Sequence, residues 1–140
     1  ALKYRPKQGT LVLARFEPGF KEPEMVKTRL AVVVSKNMQA RHGLCTVVPL
    51  SLTPPPRPMR YHAQINPDFA IPEPWGNQPR WVKGDMVLAV GFHRLDLLLL
   101  GRDRSGRRVY QIETLSHDDF LKVQTCLLEG LSLGRLTKSL

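Results

Sequence analysis

The residues of this chain that could do chemistry are arginines, a few hydroxyls and single histidines. Arg29 and Ser51 lead, because they sit near the ends of one unit, Lys27–Ser51, KTRLAVVVSKNMQARHGLCTVVPLS. That unit holds two runs rich in β-branched residues, Ala31–Val34 and Cys45–Val48, joined by the polar connection Lys36–Gly43. Two strands joined in this way can bring a cation and a hydroxyl onto one surface. A guanidinium fork matches a phosphate bidentately and stabilises the added negative charge of a pentacoordinate transition state. A hydroxyl can hydrogen-bond a phosphate oxygen, and a histidine near neutral pKa can move protons.

Other chemistries are poorly supplied. There is no G-x-S-x-G elbow, P-loop or G-x-G-x-x-G, which removes the commonest hydrolase and nucleotide motifs. His42, His62, His93 and His117 are scattered, with no H-x-x-x-H and no C-x-x-C, so neither a metal site nor a cofactor is expected. Cys45 and Cys126 lie far apart among apolar residues and read as buried free thiols. The charge balance is more telling: 21 Lys+Arg against 12 Asp+Glu leaves +9 on 140 residues. Such an excess favours nucleic acid, acidic proteins or anionic membranes. RNA suits the inventory, because its 2′-OH is an internal nucleophile beside the scissile phosphate and attack gains from proximity. DNA lacks that hydroxyl and should resist. The segment ALKYRPKQGT has no apolar signal-peptide region, and no uncharged apolar stretch reaches the ~18 residues of a membrane span, so a cytoplasmic protein off the membrane is expected.

The elements that must position these residues are mostly strands. Thr10–Phe16 alternates and suits a first strand; Glu17–Lys27, with two prolines and a glycine, is a long loop. Thr28–Ser35 is apolar on both faces and belongs deep in a sheet. Lys36–Gly43 could form a helical turn. Leu44–Leu50 is a second buried strand, and pairing should stop or bulge at Pro49, exposing Ser51. The stiff TPPPRP at Thr53–Pro58 precedes a strand at Tyr61–Ile65. Asn66–Pro79 is a proline-rich excursion, a binding loop or a lid, with Phe69, Trp75 and Trp81 available to anchor it and the two tryptophans alternatively to stack bases. Lys83–Asp85 is a turn, Met86–Phe92 a strand, and Leu95–Leu100 with Arg107–Glu113 a β-hairpin. Ser116 caps a helix whose apolar stripe is Phe120, Val123, Leu127 and Leu131, ending at Gly134 before a basic tail. The sum is mainly β with a C-terminal helix: five to seven short strands in a small curved barrel or folded sheet, with the helix packed on it.

The pattern Gly9–Phe16 (GTLVLARF), a loop, Lys27–Ser35 (KTRLAVVVS) and Thr46–Ser51 (TVVPLS) resembles the PemK/MazF family of bacterial toxins, the mRNA interferases of type II toxin–antitoxin systems. The likeness covers roughly the first 55 residues, and Gly84–Val90 resembles the family's later D-x-V strand. It implies an SH3-like, CcdB-like barrel spanning 1–140 as a single toxin domain, with a proline-rich insertion at about 53–80. It also implies a metal-independent endoribonuclease, a homodimer that holds single-stranded RNA across its interface. Cleavage by the 2′-OH would leave 2′,3′-cyclic phosphate and 5′-OH ends. An acidic antitoxin segment, disordered until bound, would cover the same groove. Arg29 falls on the family's catalytic arginine and Ser51 on its catalytic Thr/Ser.

Two departures matter. Leu30 stands where the family usually has proline, so Arg29 is less restricted to extended conformations and activity is expected to be attenuated. Met86 and Leu88 replace polar residues of the D-x-V strand, which leaves His93 and Arg94 to supply that function. His62 and His93 are candidates for catalytic support. Lys27, Thr28, Arg57, Arg60, Arg94, Arg102 and Arg104 are candidates to bind RNA phosphates. Blander readings stand beside these: Arg29 pairing with Glu22 or Glu24, Ser51 as a turn hydroxyl, the arginines as solvated charges. The rival function is a non-catalytic module on the same fold, binding nucleic acid or inhibiting a topoisomerase as CcdB does. A scaffold that meets only acidic proteins is the third reading.

Overall fold

The structure is a computed structural model and describes residues 1–36 and 41–140. The helical turn expected within Lys36–Gly43 falls largely on residues outside that range. The described strands are β1 (Leu11–Ala14), β2 (Arg29–Val33), β3 (Leu44–Ser51), β4 (His62–Ile65), β5 (Arg80–Lys83), β6 (Leu88–Gly91), β7 (Leu95–Leu97), β8 (Leu99–Arg102) and β9 (Arg108–Tyr110). One α-helix, α1 (His117–Gly130), follows them. Seven strands form one antiparallel sheet in the order β4-β5-β3-β2-β1-β7, with β6 also beside β3; β8 and β9 form a separate hairpin. The sheet is folded but not closed into a barrel.

The two-sided apolar run in β2 is explained by two cores. Leu30 and Val32 pack with Val48, Leu50, Val82 and the helix residues Val123 and Cys126. Ala31 and Val33 turn the other way, to Val12, Phe16, Val47, Val90 and Leu95. Leu30 is 2 % exposed and lies opposite Leu13 of β1, so it serves as a core residue of the ladder.

Pro49 marks a change of partner for β3. Leu44–Val47 pair with β6, whereas Leu50 and Ser51 pair with Val82 and Trp81 of β5. Proline cannot donate to a ladder, and here the second neighbour changes around it while β2 stays paired on the other side as far as Pro49. The strand therefore does not stop. It continues to Ser51, which is 5 % exposed, and the expected exposure of that serine is corrected.

Elsewhere the elements shift by tertiary demand. Leu95–Leu97 leaves the expected hairpin to pair with β1, and only its continuation, β8, turns back on β9. Ser116 Oγ accepts the Asp119 N–H at 3.1 Å, as an N-cap should. The helix ends at Gly130, not Gly134, and Gly134–Ser139 forms a short 3-10 helix. Here α1 lies hard against the turn Gly84–Met86: a Cβ on Gly84 would sit 2.2 Å from the Cys126 carbonyl oxygen, and one on Gly130 2.5 Å from that of Gly84. The proline-rich excursion is built as an ordered hook. Phe69 and Ile71 are buried and Trp75 packs on the core. The buried Arg80 donates to the carbonyls of Trp75, Gly76 and Gln78, and Asn77 Nδ2 to those of Pro67 and Phe69.

Candidate active site

Strand register assembles the site. Cross-strand partners in an antiparallel sheet share a face. Pairing of Ala31 with Pro49 carries forward to set Arg29 opposite Ser51. Ser51 pairs with Trp81, and Trp81 with Gln64; two residues along, Lys83 pairs with His62. Arg29, Ser51, Trp81, Gln64, Lys83 and His62 therefore lie on one face of the sheet. The opposite face of the same strands carries Leu50, Val82 and Ala63, which pack in the core that α1 covers.

The geometry at the head of this row is specific. Arg29 Nη1 donates to Ser51 Oγ at 3.2 Å, and the Thr53 N–H donates to the same oxygen at 3.2 Å. A hydroxyl has two acceptor lone pairs and one proton. Both lone pairs are used, so the Ser51 O–H is left to donate outward. Arg29 Nε is buried and has no hydrogen-bond partner among the described residues. No ion pair joins Arg29 to Glu22 or Glu24 among them. The β1–β2 loop instead borders the guanidinium: Glu22–Lys27 and Arg29 line a cavity of about 590 Å³.

Three further groups set the electrostatics. Burial pushes the Lys83 ammonium pKa down; Asp85 opposes this and the Arg29 charge adds to it, so the two cations act on one another. Burial and Lys83 likewise depress the His62 imidazole, against a counteracting Asp85. His62 Nδ1 accepts the Met59 N–H at 3.1 Å, which fixes the proton of the neutral ring on Nε2. This face thus offers donors and positive charge, with one carboxylate beside them.

The expected residues divide. Lys27 and Thr28 are exposed directly before Arg29, and His62 shares its face. Arg57 and Arg60 are exposed between β3 and β4, and Arg60 and His62, the latter at the sheet edge, line a cavity on the helix side with Asp118 and Lys122. Arg102 and Arg104 lie on the β8–β9 hairpin, where Arg102 donates to the Gly106 carbonyl. His93 lies past Gly91, which pairs with Leu44 at the opposite end of β3 from Ser51, roughly 20 Å along the strand at ~3.3 Å per residue. The Arg94 guanidinium donates to the carbonyls of Arg15, Phe16 and Pro18 and lies 4.8 Å from the centroid of the Phe20 ring. It holds the base of the β1–β2 loop and does not join the row. Gln64, Lys83 and Asp85 were not read from sequence as part of this face, and Trp81 was read only as an anchoring or base-stacking residue beside the proline-rich excursion. The alternation of Trp81 and Lys83 around Val82 was the available signal, but Lys83-Gly84-Asp85 reads locally as a turn.

Fold and site together define a class: a folded antiparallel sheet capped by one helix, with an arginine and a serine joined at the start of a basic, polar face. Residues 7–131 match the model of the PemK-like, MazF-like toxins of type II toxin–antitoxin systems, and the chain belongs to that family. Among solved structures it is similar to MazF from Deinococcus radiodurans, with a TM-score of 0.59, 21% identity, and 93% of this chain and 99% of that one covered. It is also similar to an endoribonuclease in complex with its cognate antitoxin from a mycobacterial species (0.55, 19%, 92% and 97%). The Mycobacterium tuberculosis toxin MazF-mt6 aligns likewise (0.55, 15%, 89% and 97%). At these identities the likeness establishes the fold. Compared by sequence with curated proteins, the chain has no match.

Proposed function

We propose that the protein is a metal-independent endoribonuclease toxin that cleaves single-stranded mRNA by attack of a 2′-OH on the adjacent phosphate. The observation that carries this reading is the Arg29 Nη1–Ser51 Oγ hydrogen bond at 3.2 Å, with the serine proton left to donate. The Arg29 guanidinium and the Ser51 O–H take the non-bridging oxygens, where charge grows as phosphorus becomes pentacoordinate. Lys83 adds positive charge on the same face, and the nearby Asp85 carboxylate favours its charged form. His62, neutral with Nε2–H, offers a donor. The 2′-oxygen gives up its proton to solvent and bonds to phosphorus as the bond to the 5′-oxygen breaks and that oxygen takes up a proton, leaving a 2′,3′-cyclic phosphate and a 5′-OH. Exposed Lys27 and Thr28 hold the backbone on the way in.

The chain is read as one toxin domain over 1–140 with a proline-rich insertion at about 53–80, acting in the cytoplasm where mRNA is. No helix among the described residues is long and apolar enough to cross a membrane. A second copy suits the β8–β9 hairpin, whose Leu99, Leu100, Val109 and Tyr110 are exposed together with Ile112. An acidic antitoxin suits the basic face, and one solved neighbour is an endoribonuclease seen with its antitoxin. Leu30 in place of the family proline gives a slower enzyme, through a less constrained Arg29.

The test is cleavage of single-stranded RNA in EDTA by the purified protein. Arg29→Ala and Ser51→Ala each lower the rate about 100-fold or more, with unchanged circular dichroism. Binding without product after long incubation would instead support a non-catalytic module.

A further inference from the structure

The two tryptophans of the chain have different fates. Trp75 packs against the core beside Phe69 and Ile71. Trp81 is directed away from that core: its neighbour Val82 is fully buried on the helix side, and Trp81 itself is half-buried on the face of Arg29 and Ser51. Among the described residues the Trp81 indole has no hydrogen bond, and it forms neither an aromatic pair nor a cation–π pair. It stands between Ser51 and Gln64 in the register, and Gln64 is exposed. A phosphate-binding pair, an aromatic plane and a free amide thus follow one another across adjacent strands, ~5 Å apart. That spacing suits one nucleotide laid across the strands, with its phosphate on Arg29 and Ser51 and its base on the indole.

We infer that Trp81 and Gln64 form the base-reading subsite of this protein. The indole stacks the nucleobase next to the scissile phosphate, and the Gln64 amide hydrogen-bonds that base's edge. Arg29 and Lys83 on the same face match the charge of the occupant, a single RNA strand. The inference rests on the proposed nuclease reading for its substrate, but its test has a separate readout.

Two measurements decide it. In cleavage of a randomised RNA pool, Trp81→Phe keeps the wild-type site preference. Trp81→Leu, which keeps an apolar cover but no ring, cuts roughly 10-fold or more slowly, and Gln64→Ala relaxes the preference at one base. Second, with Trp75→Phe the chain has Trp81 as its one indole. Its fluorescence is then titrated with four non-cleavable 2′-fluoro-RNA octamers, one for each base. Stacking quenches the emission, most strongly with the base the enzyme prefers. Trp81→Leu with wild-type rates and sites, or no quenching by any octamer, overturns the subsite. Quenching by a protein that never cleaves RNA keeps the subsite and removes the nuclease reading. Wild-type melting of Trp81→Leu separates loss of stacking from loss of fold.

Discussion

Arg29 and Ser51 illustrate what one residue's surroundings can decide. Their proximity was legible because they stand at the two ends of a unit of two consecutive apolar runs, whereas a catalytic role for them came only from the family resemblance. Lys83 was not legible, because its place beside Arg29 depends on β5 pairing with the far half of β3, which no local pattern encodes. Arg94 was singled out for its charge, and the structure adds contacts that charge alone does not announce, the three carbonyls that converge on it. Lys83 yields a pH prediction. Burial, reinforced by the charge of Arg29, lowers its pKa, so the ammonium loses its proton below the ordinary lysine value of 10.5. The positive charge at this position is therefore lost, as pH rises, before the pH reaches that value. Affinity for a non-cleavable RNA should fall between neutrality and that value in the wild type and hold steady in Lys83→Arg. Equal profiles, measured by fluorescence anisotropy at constant salt, would remove Lys83 from the proposed phosphate site.

At the scale of elements, the contact between α1 and the turn after β5 matters most. The helix N-terminus was readable from Ser116 and the two aspartates behind it, since capping is local chemistry. Its C-terminus was not, because the helix stops where Gly130 meets Gly84 across space. Gly84 also links Lys83 to Asp85, so the helix fixes the turn that carries two charged groups of the site. Gly84→Ala forces its new Cβ onto the Cys126 carbonyl and should cost about 1–3 kcal/mol by overpacking. Urea unfolding measures this directly. Cleavage should fall further than the unfolded fraction explains, because Lys83 and Asp85 shift with the turn. The sheet shows the same logic at Pro49. A missing N–H was expected to end the strand, but a change of neighbour absorbed it, and Ser51 stayed inside the fold.

The whole molecule pairs a basic face with a hairpin whose base exposes an apolar patch and whose tip carries arginines. Mainly β architecture with one closing helix followed from the spacing of strands and turns. The separation of β7 from β8 did not, because the Leu95–Leu100 run looks uniform in sequence while Leu95 and Leu98 alone are buried. If the hairpin meets a second copy, Leu99→Asp with Val109→Asp should convert a dimer to a monomer in sedimentation equilibrium while the melting curve stays cooperative. A wild-type monomer at micromolar concentration would remove that assignment. The central claim is narrower: this face performs 2′-OH-dependent cleavage using Arg29 and Ser51. The most direct measurement is to incubate the purified protein in EDTA with a single-stranded RNA and with its fully 2′-deoxy counterpart, and to map the product ends. The account predicts cleavage of the RNA alone, with 2′,3′-cyclic phosphate and 5′-OH termini. Equal cutting of the deoxy strand, or 5′-phosphate termini, would contradict it.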